Sequence, residues 1–127
     1  MKRIYLNTRD ELVVIDPNKL ACVFADGNYS KLVYIDKRFP VSLTSFGISK
    51  IAEILQKAET NLAHPTFLRL GRSLIINQNY LIRISVPKQR IILSDRGENI
   101  HGISVPKQLL KQYKERFETV KRSEMAE

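Results

Sequence analysis

Nucleophilic catalysis needs a base beside a serine or cysteine. This 127-residue sequence offers two histidines, His64 and His101, and one cysteine, Cys22. His64 adjoins Pro65 in a predicted loop and His101 adjoins Gly102 after a predicted turn, settings in which an imidazole is solvated or locally hydrogen-bonded rather than catalytic. Cys22 has no disulfide partner, and together with the two histidines it falls short of a four-ligand structural zinc site. The glycines, at 27, 47, 71, 97 and 102, are too dispersed for a phosphate-cradling loop. Paired carboxylates would have to meet from distant positions, because the acids fall mostly in predicted turns and on exposed helix faces. The expectation is a chain that is not an enzyme, with no catalytic residue, metal, cofactor or small-molecule substrate.

The chemistry that the sequence does supply is cationic. The formal net charge is +8, and it is unevenly placed: residues 1–66 carry nine Lys/Arg against seven Asp/Glu, residues 67–127 twelve against six. No acid lies between Glu59 and Asp95, a stretch that holds Arg69, Arg72, Arg83, Lys88 and Arg90. Such a field attracts polyanions, and a nucleic-acid backbone releases counterions for each phosphate neutralised.

These side chains need a frame. An apolar share of 43%, with five Pro and five Gly, is that of a packed globular chain, and the length fits one domain, expected over 1–122 with a frayed tail at 123–127. The basic N-terminus is interrupted from Asn7 before it reaches signal-peptide length, and no stretch is long enough to span a membrane, so a reducing cytoplasm is the expected setting.

Strands are predicted at 11–15 and 19–25, the second apolar on both faces and therefore central. Asp26-Gly27-Asn28 should reverse the chain into a strand over 29–36, Gly and Asn both tolerating positive φ. Ile48, Ile51, Ile54 and Leu55 predict a helix over 45–57 capped by Thr44 or Ser45. Strand character returns at Phe67, and a hairpin is predicted from 80–86 and 89–94 around Pro87-Lys88, with Ile82, Ile84 and Val86 on its buried face and Arg83 and Ser85 on its wet face. A short strand should end at Ser104 and a last helix start at Pro106, with Leu110, Tyr113, Phe117 and Val120 as its stripe. The hexapeptide Ile-Ser-Val-Pro-Lys-Gln occurs at 84–89 and again at 103–108; two strand exits through proline account for it more simply than a repeat architecture.

The segment Phe67-Leu68-Arg69-Leu70-Gly71-Arg72-Ser73-Leu74-Ile75-Ile76-Asn77 resembles the hallmark of the LytTR (LytR/AgrA-type) family of bacterial DNA-binding domains, Phe-x-Arg-x-His-Arg-Ser followed by apolar residues and Asn. Phe67, Arg69, Arg72, Ser73 and Asn77 match, and Gly71 replaces the usual His. Ala25-Asp26-Gly27-Asn28-Tyr29-Ser30 resembles the family's first hairpin, Ser42-Leu43 its helix start, and Val105-Pro106-Lys107-Gln108-Leu109-Leu110 its late Val-Ser-Arg-Arg-x-Leu run, with Pro106 for Ser and Lys107 for the first Arg; an alternative register puts Ser104 on the Ser and leaves Val105 where Arg is expected. The resemblance covers about residues 10–118.

What the resemblance implies is a mainly β (α+β) fold, an elongated arrangement of three small antiparallel sheets with two helices, that binds double-stranded DNA by loops inserted into successive major grooves and acts as a response-regulator-like transcription factor. Carried over position by position, it nominates Asn28, Tyr29, Ser30 and Lys31 in a first loop, Arg69, Arg72 and Ser73 in a second, and Lys107 in a third. Chemically, Arg72 suits a bidentate bond to guanine and Asn28 one to adenine, while Arg69, Ser73 and Lys107 suit phosphates. Plainer roles stay open: Arg69 as a structural ion-pair partner, Tyr29 as a half-buried strand residue, Asn28 as the residue that permits the turn. The lysines of the last helix beyond Lys107 are expected to be neutralised by Glu115 and Glu118. A homodimer on repeated half-sites and a sensor or membrane partner protein are further open arrangements. The competing reading is a protein-interaction module that docks an acidic partner or sensor; single-strand or RNA binding would require aromatic platforms, which Tyr29 and Tyr34 cannot share, being on opposite strand faces.

Overall fold

A strand with apolar side chains on both faces must be covered on both, and this requirement organises the chain. The computed structural model describes residues 1–125, with side chains through Phe117. Strand β3 (Leu20–Asp26) and strand β7 (Leu74–Asn77) pair antiparallel, Cys22 with Ile76, Val23 with Ile75 and Phe24 with Leu74, in the middle of a five-stranded sheet. Outside them lie β4 (Tyr29–Tyr34) with β5 (Ser42–Thr44) on one flank and β6 (Phe67–Leu70) on the other, giving the order β5-β4-β3-β7-β6.

Alternation divides the interior into two cores. Val23, Leu32 and Ile75 face one side, where they meet Ile48, Ile51 and Leu55 of helix α1 (Ile48–Ala58) and Leu6 and Ile15 of a two-stranded hairpin, β1 (Ile4–Asn7) with β2 (Leu12–Ile15). Cys22, Leu74 and Ile76 face the other. There they meet Ile91, Leu93 and Ile103 of a three-stranded sheet, β8 (Leu81–Ser85), β9 (Arg90–Ser94) and β10 (Ile100–Ser104), and Leu110 and Tyr113 of helix α2 (Lys107–Met125). The result is mainly β with two helices and three small antiparallel sheets, as expected, and β3 is central as its two-sided apolarity requires. Burial pushes the Cys22 thiol up to about 12, which removes it from thiolate chemistry.

Several local expectations need correction. Strand β1 lies in the segment read only as a basic terminus, and β5 in the segment read only as a helix start. Helix α1 begins at Ile48, with Gly47 as a cap that contributes no side-chain bond; Thr44 Oγ1 accepts from the Phe46 N–H (3.3 Å) within the preceding turn instead of capping the helix. Pro106 precedes α2, its carbonyl accepting from the Leu110 N–H at 3.1 Å, and the helix continues through Met125. Leu110 and Tyr113 are buried as the stripe predicts, whereas Phe117 is 41% exposed; the Val120 side chain, and residues 126–127 of the expected frayed tail, lie outside the described residues.

Asn77, the last residue of the motif, is 1% exposed. Its Nδ2 donates to the Leu20 carbonyl across 57 residues of sequence (2.9 Å) and its Oδ1 accepts from the Asn79 N–H (3.0 Å), so one amide pins β3 to the end of β7. Replacing Asn77 by Ala leaves the buried Leu20 carbonyl without this donor and frees the part-buried Asn79 N–H. The expected loss is about 1–3 kcal/mol, read as a lower urea midpoint with unchanged slope.

Candidate nucleic-acid interface

The pairing of β3 with β4 and β7 decides where the nominated residues go. Asp26 pairs with Tyr29, so Gly27-Asn28 is a two-residue turn at one end of the central sheet. Leu70 pairs with Leu74, so Gly71-Arg72-Ser73 is a three-residue turn at the start of β7. Because β7 runs antiparallel to β3, and the Ala25 N–H donates to the Ser73 carbonyl (2.9 Å), the two turns emerge side by side. The third segment joins them from below: Leu109 of α2 packs against Gly71, and Arg72, Ser73, Ser104, Val105, Pro106 and Leu109 border one shallow depression. Turns from three separate hairpin or strand exits therefore share one end of the molecule.

Not every nominated residue faces outward there. Asn28, Tyr29 (55% exposed), Lys31, Arg72, Ser73 and Lys107 are exposed. Tyr29 is thus more open than a half-buried strand residue. Only Gly27 takes the positive φ of the turn (61°), so Asn28 is not what permits it, and its side chain has no protein partner among the described residues. Ser30 is a correction: it is fully buried and its hydroxyl donates to the Phe46 carbonyl (2.8 Å), tying β4 to the turn before α1 and removing it from any surface contact. Arg69 is spoken for as well. Its Nη1 donates to Ser49 Oγ in the first turn of α1 (3.1 Å) and its Nη2 to the Arg72 carbonyl (3.2 Å), so it holds the second turn instead of pairing with an acid. Arg72 and Lys107 have no ionic partner among the described residues, and Lys31 makes only a long, exposed approach to Asp26 (3.9 Å). Ser49 and Leu109, which position the turn, carry no signal in the sequence beyond lying near the motif.

Acids are scarce at this end. Among the acids in the turns of the central and three-stranded sheets, Asp26 alone is at this end; Asp36, Asp95 and Glu98 follow strands that run to the opposite one. The Arg38 side chain beside Asp36 pulls its carboxyl down to about 2, and Asn99 with the Gly97 N–H holds Asp95 below its ordinary value, so both stay ionised. His101 Nε2 lies 2.8 Å from the Ile35 carbonyl and His64 is an exposed loop residue, so the two imidazoles do not converge on a nucleophile. Among the described residues no three His, Cys, Asp or Glu cluster to hold a metal, and no helix is long and apolar enough to cross a membrane.

Gly71, the departure from the family motif, has a structural cause. Its φ is +72°, and an added Cβ would lie 2.9 Å from Leu109 Cδ1. Left-handed backbone costs a non-glycine residue roughly 1–2 kcal/mol, and the leucine tip must also shift. Gly71→Ala is expected to lower stability by about 1 kcal/mol or more, with Gly71→Asn milder; chemical denaturation of both variants checks the order.

No protein-family model and no curated protein matches the sequence. Among solved structures, the LytTR DNA-binding domain of a methyl-accepting/DNA response regulator from Bacillus cereus matches with a TM-score of 0.56 and 17% identity, over 91% of this chain and 95% of that one. Two independent lines, the ordered motif residues and the superposed backbone, agree: this chain has the LytTR-domain fold.

Proposed function

We propose that this chain binds double-stranded DNA through the turns gathered at one end and acts as a sequence-specific transcriptional regulator. The observation that carries the reading is the convergence of the Gly27-Asn28 turn, the Gly71–Ser73 turn and the start of α2 on a single edge, with Asn28, Arg72 and Lys107 exposed and free of protein partners among the described residues. A solved protein of the same fold is described as a DNA-binding domain.

Roles follow from chemistry. Arg72, at the tip of a turn clamped by Arg69, offers two parallel N–H donors to guanine O6 and N7; Asn28 offers a donor and an acceptor to adenine N6 and N7. Tyr29, Lys31, Ser73 and Lys107 supply the phosphate contacts that fix register. Arg69 acts through the turn that it holds. The loops enter successive major grooves, and a homodimer would read half-sites about one or more helical turns apart. The operating compartment is the reducing cytoplasm, and the reading assigns no catalytic step.

One feature favours protein docking as a second role. Tyr5, Leu12 and Val14 (61%, 55% and 43% exposed) form an apolar outer face on the β1–β2 hairpin, on the side turned away from its core contacts. A sensor or membrane partner would use that face, leaving the cationic edge free.

Selection of duplexes from a random pool, followed by anisotropy titration of the preferred site, tests the DNA reading. The wild type is expected to bind with a steep salt dependence, and Arg72→Ala to lose about 1–3 kcal/mol of discrimination at one base pair. Lys107→Ala should instead weaken all sequences alike and lower the salt slope by about one. Absence of any retardation of duplexes at low salt, with micromolar protein, would reject the reading.

A further inference from the structure

The cations of the acid-free stretch that the three turns leave unused lie together. On the outer face of the three-stranded sheet Arg83 stands opposite Ile92 and Ser85 opposite Arg90, and with Lys88 of the connecting turn these side chains line an open depression of about 320 Å³. The Arg90 guanidinium reaches over Gly102 of β10, where an added Cβ would collide with it, so a bare glycine lets the cation lie across the sheet. Arg83, Lys88 and Arg90 are all exposed, and none has an ionic partner among the described residues.

This face adjoins the edge already described. The Val105 N–H donates to the Gln89 carbonyl (3.0 Å), and Ser85, Arg90 and Ser104 lie in one row across β8, β9 and β10. The two copies of the hexapeptide are the two exits from this row. They place matching lysines, Lys88 and Lys107, on either side of β9 at the same end of the sheet, one in the hairpin turn and one at the start of α2.

We infer that Arg83, Lys88 and Arg90 form a further phosphate-binding surface, which continues the duplex contact from the three turns onto the outer face of the third sheet. The inference rests on the DNA-binding reading above and extends its footprint. A polyanion fits this surface better than an acidic protein does. Protein interfaces are anchored by buried aromatic and aliphatic side chains, and the depression offers only half-buried Ile92, set among guanidinium, ammonium and hydroxyl groups suited to phosphate oxygens.

The test is the salt dependence of binding to the selected duplex, from about 50 to 300 mM KCl, for the full chain and three variants: Arg83→Gln/Lys88→Gln/Arg90→Gln, Arg83→Lys/Arg90→Lys, and Lys88→Gln alone, each checked for folding by circular dichroism. The log–log slope should become shallower by about 0.9 for each phosphate that a variant no longer neutralises, so by roughly two to three units in the triple variant and about one in Lys88→Gln. Base preference should be unchanged, and the charge-keeping variant should retain the wild-type slope. A wild-type slope in the folded triple variant or in Lys88→Gln overturns this inference alone, and so does a loss of polyglutamate binding with DNA binding intact, which would mark an acidic-protein site. A wild type that binds no duplex overturns it together with the reading on which it rests.

Discussion

The pairing of β3 with β7 is the constraint from which the rest of this structure follows. Both strands are buried on both faces, with Cys22, Leu74 and Ile76 serving one core and Val23 and Ile75 the other. Side chains alternate with period two, so a slip of one residue would exchange the two sets and present each core with the wrong shapes. The Asn77 amide, bonded to the Leu20 carbonyl, closes off that slip at one end of the ladder, and the Ala25–Ser73 backbone bond does so at the other. The second bond sits directly under the exposed turns. Register in the core and the placement of Asn28 beside Arg72 are thus one property.

At the loop end, each exposed polar side chain is set by one that is consumed in holding it. Arg69 commits its guanidinium to Ser49 and to the Arg72 carbonyl, which leaves the Arg72 side chain free. Ser30 gives its hydroxyl to the Phe46 carbonyl, fixing the turn before α1 behind Asn28 and Tyr29. Leu109 fills the space beside Gly71 that any side chain there would claim. This division leaves two of the five matching motif residues, Arg72 and Ser73, exposed with uncommitted side chains. Side chains on turns lack the rigidity of a helix or strand, so neighbouring side chains must hold them.

The sequence was legible where burial and polarity agree. β3 declares itself by apolar residues on both faces, α1 by Ile48, Ile51 and Leu55 at helical spacing, and the β8–β9 hairpin by Ile84 turned in with Arg83 turned out. A register shift between Leu81 and Arg83, however, leaves Ile82 43% exposed instead of buried beside Ile84. β5 was illegible because its polarity is inverted: Thr44 is the buried residue and Leu43, next to it, is 54% exposed. β1 has the right alternation, with Leu6 in and Tyr5 out, but four residues are too few to separate from chance. Within the candidate site, type alone could not tell Ser30 from Ser73. Both are serines beside a turn, and only the strand pairing shows that one points into the core side and the other follows the chain's reversal.

Charge, by contrast, was legible as a quantity and not as a place. An acid-free run of residues has no spatial meaning until strands fold it, and hairpins scatter neighbours to opposite ends as readily as they gather them. Here the antiparallel order of both sheets turns Lys88, Arg90 and Lys107 toward the end that already carries Arg72, and sends Asp36, Asp95 and Glu98 to the other. The acids at that other end are offset by Lys37, Arg38 and Arg96 beside them, whereas the cations around Arg72 face Asp26 alone, so the net positive charge is concentrated at the loop end. With a Debye length of about 8 Å at physiological salt, cations spread over the whole surface would act singly. Gathered on adjoining faces of two sheets, their fields overlap.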